Sequence, residues 1–235
     1  MQRYFADIDN NGVHLSKDDE HHITHVMRMR VGDQFEVVSS SKLYICEISS
    51  LSPLGVKILK EQEEDVELPI PVTLFFALAK GDKIDLVIQK ATELGVSHIV
   101  LFKSRRCVVN FETKDASKKL ERYQKIAKEA SEQCHRLMIP DISIELDIKG
   151  IKNHLQEVNY LAYEKEAGNT SESFNLPNDL KSISIMIGSE GGFDEDEVSY
   201  LVKEGFSLVS LGKRILRCET AAIYALSVLA YKLEK

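Results

Sequence analysis

The apolar positions change rhythm part-way along the chain, and the change divides it. Over the first sixty residues they fall in short β-like runs, Gln34 to Val38, Leu43 to Ile48 and Val56 to Leu59, with one helix predicted from Lys17 to Arg28. Residues 62–71 then join a run of acids to Pro69 and Pro71, which suits an extended connection. Beyond them strands and helices alternate, which implies a mostly parallel sheet. A strand is predicted at Val72 to Ala79, and a helix at Asp82 to Leu94 with Ile84, Val87, Ile88, Ala91 and Leu94 on one face and Gly95 as its stop. Next come a strand at His98 to Phe102 and a long amphipathic helix from about Ala116 to Cys134. Further strands are predicted at Ile142 to Leu146, Tyr160 to Tyr163, Ile183 to Ile187 and Ser207 to Leu211. Asp194 to Lys203 reads as a helix whose early acids suit the N-terminal dipole. The helix from Glu219 to Leu233 is apolar nearly all round, so it must be buried, by this chain or by a second subunit.

Composition narrows the class. With 235 residues and 43% hydrophobic positions, one large or two modest packed domains are expected. No apolar run approaches a membrane span, and the opening MQRYFADID lacks a signal-peptide stretch, so a soluble cytoplasmic protein is expected. Cys46, Cys107, Cys134 and Cys218 form no CxxC pair, which disfavours zinc ribbons and redox pairs and favours free thiols. The net charge of −7 argues against a generally basic nucleic-acid binder. Residues 1–68 hold 7 basic and 13 acidic side chains, so any RNA contact there must come from a local patch.

Two loops carry the chemistry. Gly188-Ser189-Glu190-Gly191-Gly192-Phe193 follows one predicted strand, and Leu211-Gly212-Lys213-Arg214-Ile215-Leu216-Arg217-Cys218-Glu219-Thr220-Ala221 follows another. Ligands of open α/β sheets bind outside the carboxyl ends of strands, so the two loops can wall in one small molecule. The Gly191-Gly192 pair permits positive φ and close backbone approach; alone it would favour an ordinary turn, but the preceding Glu190 and the second loop shift the balance toward a ligand. The chain lacks a P-loop, and Ala79-Lys80-Gly81-Asp82 after the first strand lacks the dinucleotide fingerprint. An uncharged adenosine moiety held by backbone groups fits better than a phosphate. Arg214 or Arg217 could anchor an anion as a planar fork, or serve only in a surface ion pair. His21 and His25 lie one helical turn apart, but zinc wants three or four ligands, so no metal is expected.

GSEGGF together with LGKRILRCETA closely resembles the SPOUT-class ribosomal RNA small subunit methyltransferase E family. The likeness extends over the chain: Gln2-Arg3-Tyr4-Phe5, the segment His22 to Asp33, Lys80-Gly81-Asp82, Gln89 to Val96, Arg105, Glu129-Ala130 and Gln133 to Arg136. Ser189, Cys218 and Cys134-His135 depart from it, where the family commonly has Pro, Thr and Ser-Gly. The resemblance implies an α/β protein with a small PUA-like β-barrel domain at 1–68 and a SPOUT methyltransferase domain with a C-terminal trefoil knot at 72–235. It implies methylation of N3 of a uridine in 16S ribosomal RNA, naked or within the 30S subunit, by a homodimer using S-adenosylmethionine. The rival readings are another RNA base as target, a non-catalytic RNA-binding module, and a nucleotide-dependent metabolic enzyme.

By the same resemblance the cofactor would be lined by Leu161, Tyr163, Gly188, Glu190, Gly191, Gly192, Leu211, Gly212, Leu216, Glu219 and Ala221. Arg217, helped by Arg136, is expected to stabilise the uridine anion, with Glu190 or Glu219 accepting its proton or balancing the sulfonium charge. RNA contacts are expected at Arg3, His25, Arg28, Arg30, Lys80 and Arg105.

Overall fold

The computed structural model describes residues 1–107, 113–164 and 174–235. The chain forms two compact units, residues 1–67 with 131–138, and residues 68–130 with 139–235.

The first unit is built on a four-stranded sheet of order β1 (Arg3–Phe5), β4 (Gln34–Ser39), β5 (Lys42–Leu51) and β6 (Leu54–Gln62). Strands β2 (Asp7–Asp9) and β3 (Gly12–His14) form a separate hairpin. Tyr4, Phe35, Val37, Cys46 and Ile48 alternate inward from the strands and close on Ile23. The single helix expected over Lys17–Arg28 is instead α1 (Lys17–His21), capped by Ser16, running into a π-helical turn (His22–Val26). It stops short because Arg28 turns to φ 53°, which a continuing right-handed helix does not allow.

The second unit holds a six-stranded, all-parallel sheet of order β12 (Phe206–Val209), β10 (Val158–Ala162), β11 (Ile183–Ile187), β7 (Val72–Ala77), β8 (His98–Phe102) and β9 (Asp141–Glu145). Both faces of the sheet are covered, which is why its strands read as continuous apolar runs. On one face Leu74, Phe76, Ile99, Leu101, Ile185 and Ile187 pack with α2 (Lys83–Glu93), α3 (Thr113–Gln133) and α5 (Cys218–Leu233). On the other, Phe75, Ala77, Val100, Phe102 and Met186 pack with Val198 and Leu201 of α4 (Glu195–Lys203). Asp194 caps α4 in a full capping box with Glu197.

Strand order sets where a ligand can enter. The chain steps outward from β7 through β8 to β9, then crosses back beyond β7 to β10, and returns to place β11 in the gap. The carboxyl ends of β7, β11, β10 and β12 therefore meet at the point where the winding reverses. From the edge strand β12 the chain comes back, and α5 packs on α2 and β11. Helix α5 buries only one face, Cys218, Ala221, Ala222, Ala225, Leu226 and Leu229. Its other face carries the exposed Tyr224 and Tyr231, so the described residues do not cover the helix all round.

Candidate functional site

A cavity of about 520 Å³ opens at those strand ends, within the range of sites that enclose a cofactor-sized molecule. Its walls come from the turn after β10 (Ala162, Tyr163, Glu164), the loop after β11 (Gly188 to Phe193), and the loop from Ser210 into α5 as far as Ala221. Lys83, in the first turn of α2, completes it.

The glycines let the backbone serve as wall. A Cβ on Gly188 would stand 2.9 Å from Cε2 of Phe193, a buried ring stacked on Phe102. A Cβ on Gly191 would stand 2.9 Å from Cβ of Arg106, whose guanidinium donates to the Gly191 carbonyl at 3.0 Å. Gly192 and Gly212 hold φ of 63° and 109°, where other residues are strained. The Ser189 hydroxyl, in a residue of the cavity lining, is buried and has no hydrogen-bond partner among the described residues, which leaves it able to meet a polar ligand. These features fit an adenosine-and-methionine cofactor held mainly by backbone.

Charge gathers on one wall. Glu190 accepts from Lys83 Nζ at 2.7 Å and from the Lys80 backbone N–H at 3.4 Å. Glu219 lies 3.9 Å from the same ammonium and accepts from the Cys218 thiol at 3.2 Å. Partial burial alone would raise the Glu190 carboxyl; the hydrogen bonds from Lys83 and the backbone outweigh it and leave it below the ordinary carboxylate value. Glu219 behaves alike: burial pushes it up, and its own backbone N–H, the Cys218 thiol and the charges of Lys83 and Arg217 bring it down. Lys83 is raised, first by its bond to Glu190. Burial and the bond to Glu219 push the Cys218 thiol up to about 11, so it stays protonated at neutral pH.

The structure divides the expected site residues. Tyr163, Gly188, Glu190, Gly191, Gly192, Leu211, Gly212, Leu216, Arg217 and Ala221 all line the cavity. Leu161 does not: its side chain is fully buried in the core of the α4 face, and its neighbours Ala162 and Glu164 line the cavity with Tyr163. Glu219 stands behind the wall and reaches it through Lys83 and Cys218. Arg136 belongs to the first unit, where it is 3% exposed and bonded to Glu67 at 2.6 Å, so its charge is already engaged. Lys83, Ser189 and Phe193 were absent from the expected set; a lysine in the first turn of a helix, against the dipole, was the available signal for the first.

The expected RNA contacts divide too. Arg3 is not a surface arginine. It is fully buried, with Glu36 at 2.8 Å, Glu64 at 2.6 Å and the His135 carbonyl at 2.5 Å around its guanidinium. His25, Arg28 and Arg30 are exposed, His25 stacked on His21 with ring centroids 4.5 Å apart. Lys80 is exposed; Arg105 is also exposed but paired with Asp194 and Asp196. Among the described residues no cluster of His, Cys, Asp and Glu could hold a metal ion.

Residues 66–230 match the model of the RNA methyltransferase domain, and residues 15–61 that of the RNA methyltransferase PUA domain. The chain is 37% identical over its full length to the ribosomal RNA small subunit methyltransferase E of Bacillus subtilis, covering 98% of that protein. The chain belongs to this methyltransferase family. A second member, from Buchnera aphidicola, is 32% identical over 95% of the chain and 89% of its own length. The crystal structure of the family's Neisseria gonorrhoeae protein, bound to S-adenosyl methionine, superposes with a TM-score of 0.86 at 28% identity, over 99% of this chain and 98% of that one.

Proposed function

We propose that this chain transfers the methyl group of S-adenosylmethionine to N3 of a uridine in 16S ribosomal RNA of the small subunit. The observation that carries the reading is the cavity at the β7, β11, β10 and β12 ends, walled by glycine-rich loops and edged by Arg217. The family relatives are small-subunit ribosomal RNA methyltransferases by name, and one was solved with this cofactor.

Tyr163, Gly188, Gly191, Gly192, Leu211, Gly212, Leu216 and Ala221 would hold the cofactor, and the Ser189 hydroxyl would gain a partner in it. When bound, it supplies a methyl group already activated on a sulfonium, so the N–C bond forms as the S–C bond breaks and a neutral thioether leaves. The chain's own tasks are then to place the base and to support its charge. Uridine N3 lies between two carbonyls and must shed its proton before it attacks. Arg217, exposed at the cavity rim, offers a guanidinium to the charge that spreads over those oxygens. Glu190 and Glu219, both held ionised below the ordinary carboxylate value, are poor acceptors for so weak an acid. They serve better to balance positive charge, and the N3 proton passes to water at the open rim.

The finer architecture belongs to the same reading. The return of α5 from the edge strand onto β11 and α2 supports a C-terminal knot, and the sheet of residues 1–67 supports a PUA-like barrel. The exposed Tyr224–Tyr231 face of α5 supports a homodimer; Tyr224→Glu should release monomers in sedimentation, and an unchanged mass would count against the interface. His25, Arg28 and Arg30 would contact the RNA backbone, on naked 16S RNA or on the 30S particle, in the cytoplasm. Among the described residues no helix is long and apolar enough to cross a membrane.

Single-turnover transfer of labelled methyl to 16S RNA and to 30S subunits tests the function. Arg217→Ala should cut the rate at least a hundredfold with cofactor affinity kept, the scale of a lost oxyanion donor. A near-normal rate would remove Arg217 from the chemistry.

A further inference from the structure

Three segments distant in sequence meet at Lys83. It sits in the first turn of α2, where the helix dipole disfavours a cation. Its ammonium reaches Glu190 in the loop after β11 at 2.7 Å and stands 3.9 Å from Glu219 at the start of α5. The Lys80 backbone N–H, three residues upstream, closes on the same oxygen of Glu190. The Cys218 thiol donates to the same Glu219 oxygen at 3.2 Å without adding charge. Within this cluster two ionised carboxylates and one ammonium leave a net charge of −1, while Glu164, Arg214 and Arg217 line the cavity beyond it. Two members, Lys83 and Glu190, face the cavity directly.

A methyl donor and its product differ chiefly by one charge. The donor carries a sulfonium cation, and transfer leaves a neutral thioether on an otherwise identical skeleton. Backbone loops that read the adenosine and the amino-acid end cannot separate the two; an electric field can. We propose that Lys83 is a positioning residue that clasps Glu190 at the cavity wall and, with Glu219 behind, fixes a negative field that selects the sulfonium cofactor over its thioether product. This rests on the cavity being the methyl-donor site. The local rule broken at the helix start has its compensation in this function.

The clasp acts through Glu190, and that makes it testable. Without Lys83 the Glu190 carboxylate loses its anchor and turns toward water, its charge screened from the cavity. Calorimetry of S-adenosylmethionine and S-adenosylhomocysteine on the full chain reads the ratio of the two affinities, with no dependence on turnover. The wild type should favour the donor by about three- to tenfold, the scale of one partly solvated charge. Lys83→Met and Glu190→Gln should each bring the ratio close to one, Lys83→Arg should keep it, and the Lys83→Met/Glu190→Gln double should equal Glu190→Gln alone. A ratio unchanged in Lys83→Met overturns the inference, as does a ratio that rises there, which would make Lys83 a mere counter-charge. Independent, additive losses overturn it too, because Lys83 would then not act through Glu190. A wild type that binds both ligands equally overturns the selection while leaving the donor site standing; one that binds neither overturns both.

Discussion

Gly188→Ala isolates the packing of the cofactor loop from its backbone conformation. Gly188 does not occupy the positive-φ region, so alanine meets no intrinsic backbone strain there. Its new methyl would instead stand 2.9 Å from Cε2 and 3.1 Å from Cδ2 of Phe193, and 3.4 Å from the Gly192 carbonyl carbon. Phe193 has little room to swing, because it is 2% exposed and its ring stacks on Phe102 with centroids 6.2 Å apart and planes 8° from parallel. The misfit must be borne by the native packing or relieved by moving the loop. Overpacking of this kind costs about 1–3 kcal/mol. If the loop stays, that cost appears as a lower Tm. If it moves, the cost appears when cofactor pulls it back, as an affinity about 5- to 150-fold weaker. Calorimetry with S-adenosylmethionine and thermal unfolding of the same sample, read together, recover the whole penalty. Gly205→Ala is the control: its φ of 102° strains an alanine, but no atom lies within 4 Å of the new Cβ and the residue is outside the cavity, so stability should fall with binding kept. Native Tm and native affinity together in Gly188→Ala would refute the view that this loop is packed to tolerance.

The Lys83–Glu190 pair gives a pH signature. The Glu190 carboxyl is depressed, so its contribution to stability is present above the unfolded value, about 4.3, and is lost as pH falls through the folded one. The Tm difference between wild type and Glu190→Gln should therefore be constant from pH 6 to 8 and shrink steadily as pH falls from about 5 through the folded value; a difference that grows on acidification would contradict the assignment. Lys83 is raised, so its share survives until pH exceeds the ordinary lysine range, and no loss should appear below about pH 10. The arginines of the first unit should separate cleanly. Arg3→Ala strands Glu36 and Glu64 and should cost about 3–5 kcal/mol in denaturant unfolding, whereas Arg28→Ala with Arg30→Ala should leave unfolding alone and lower both RNA affinity and its salt dependence, measured by filter binding. Wild-type stability in Arg3→Ala would mean that the buried network contributes nothing.

The parallel sheet was legible because strands covered on both faces leave unbroken apolar runs, as in Ile183–Ile187 and Val72–Ala77. That same two-sided burial hid which residues face the cavity. Leu161 and Ala162 are equally apolar, and nothing in the run says which of them ends in the core and which at the ligand. The strands β1 to β3 are not legible because three-residue segments are too short to show a period. Arg3 looked like surface because its partner is set by sheet register: it pairs across β1 and β4 with Glu36, 33 residues away. Lys83 and Glu190 are 107 residues apart, so no local spacing could join them. His135, where the family commonly has glycine, does hold a left-handed φ of 61°, so that departure from the motif was informative about backbone.

Helix α5 has a consequence for how a copy of this protein comes to life. It delivers Cys218 and Ala221 to a cavity that also needs Lys83, made far earlier in synthesis. A nascent chain still threading α5 through the ribosomal exit has a sheet but no closed donor site. Closing a loop of that span is slow compared with forming any one helix. Capacity to bind the donor is therefore expected to be acquired only once α5 has docked.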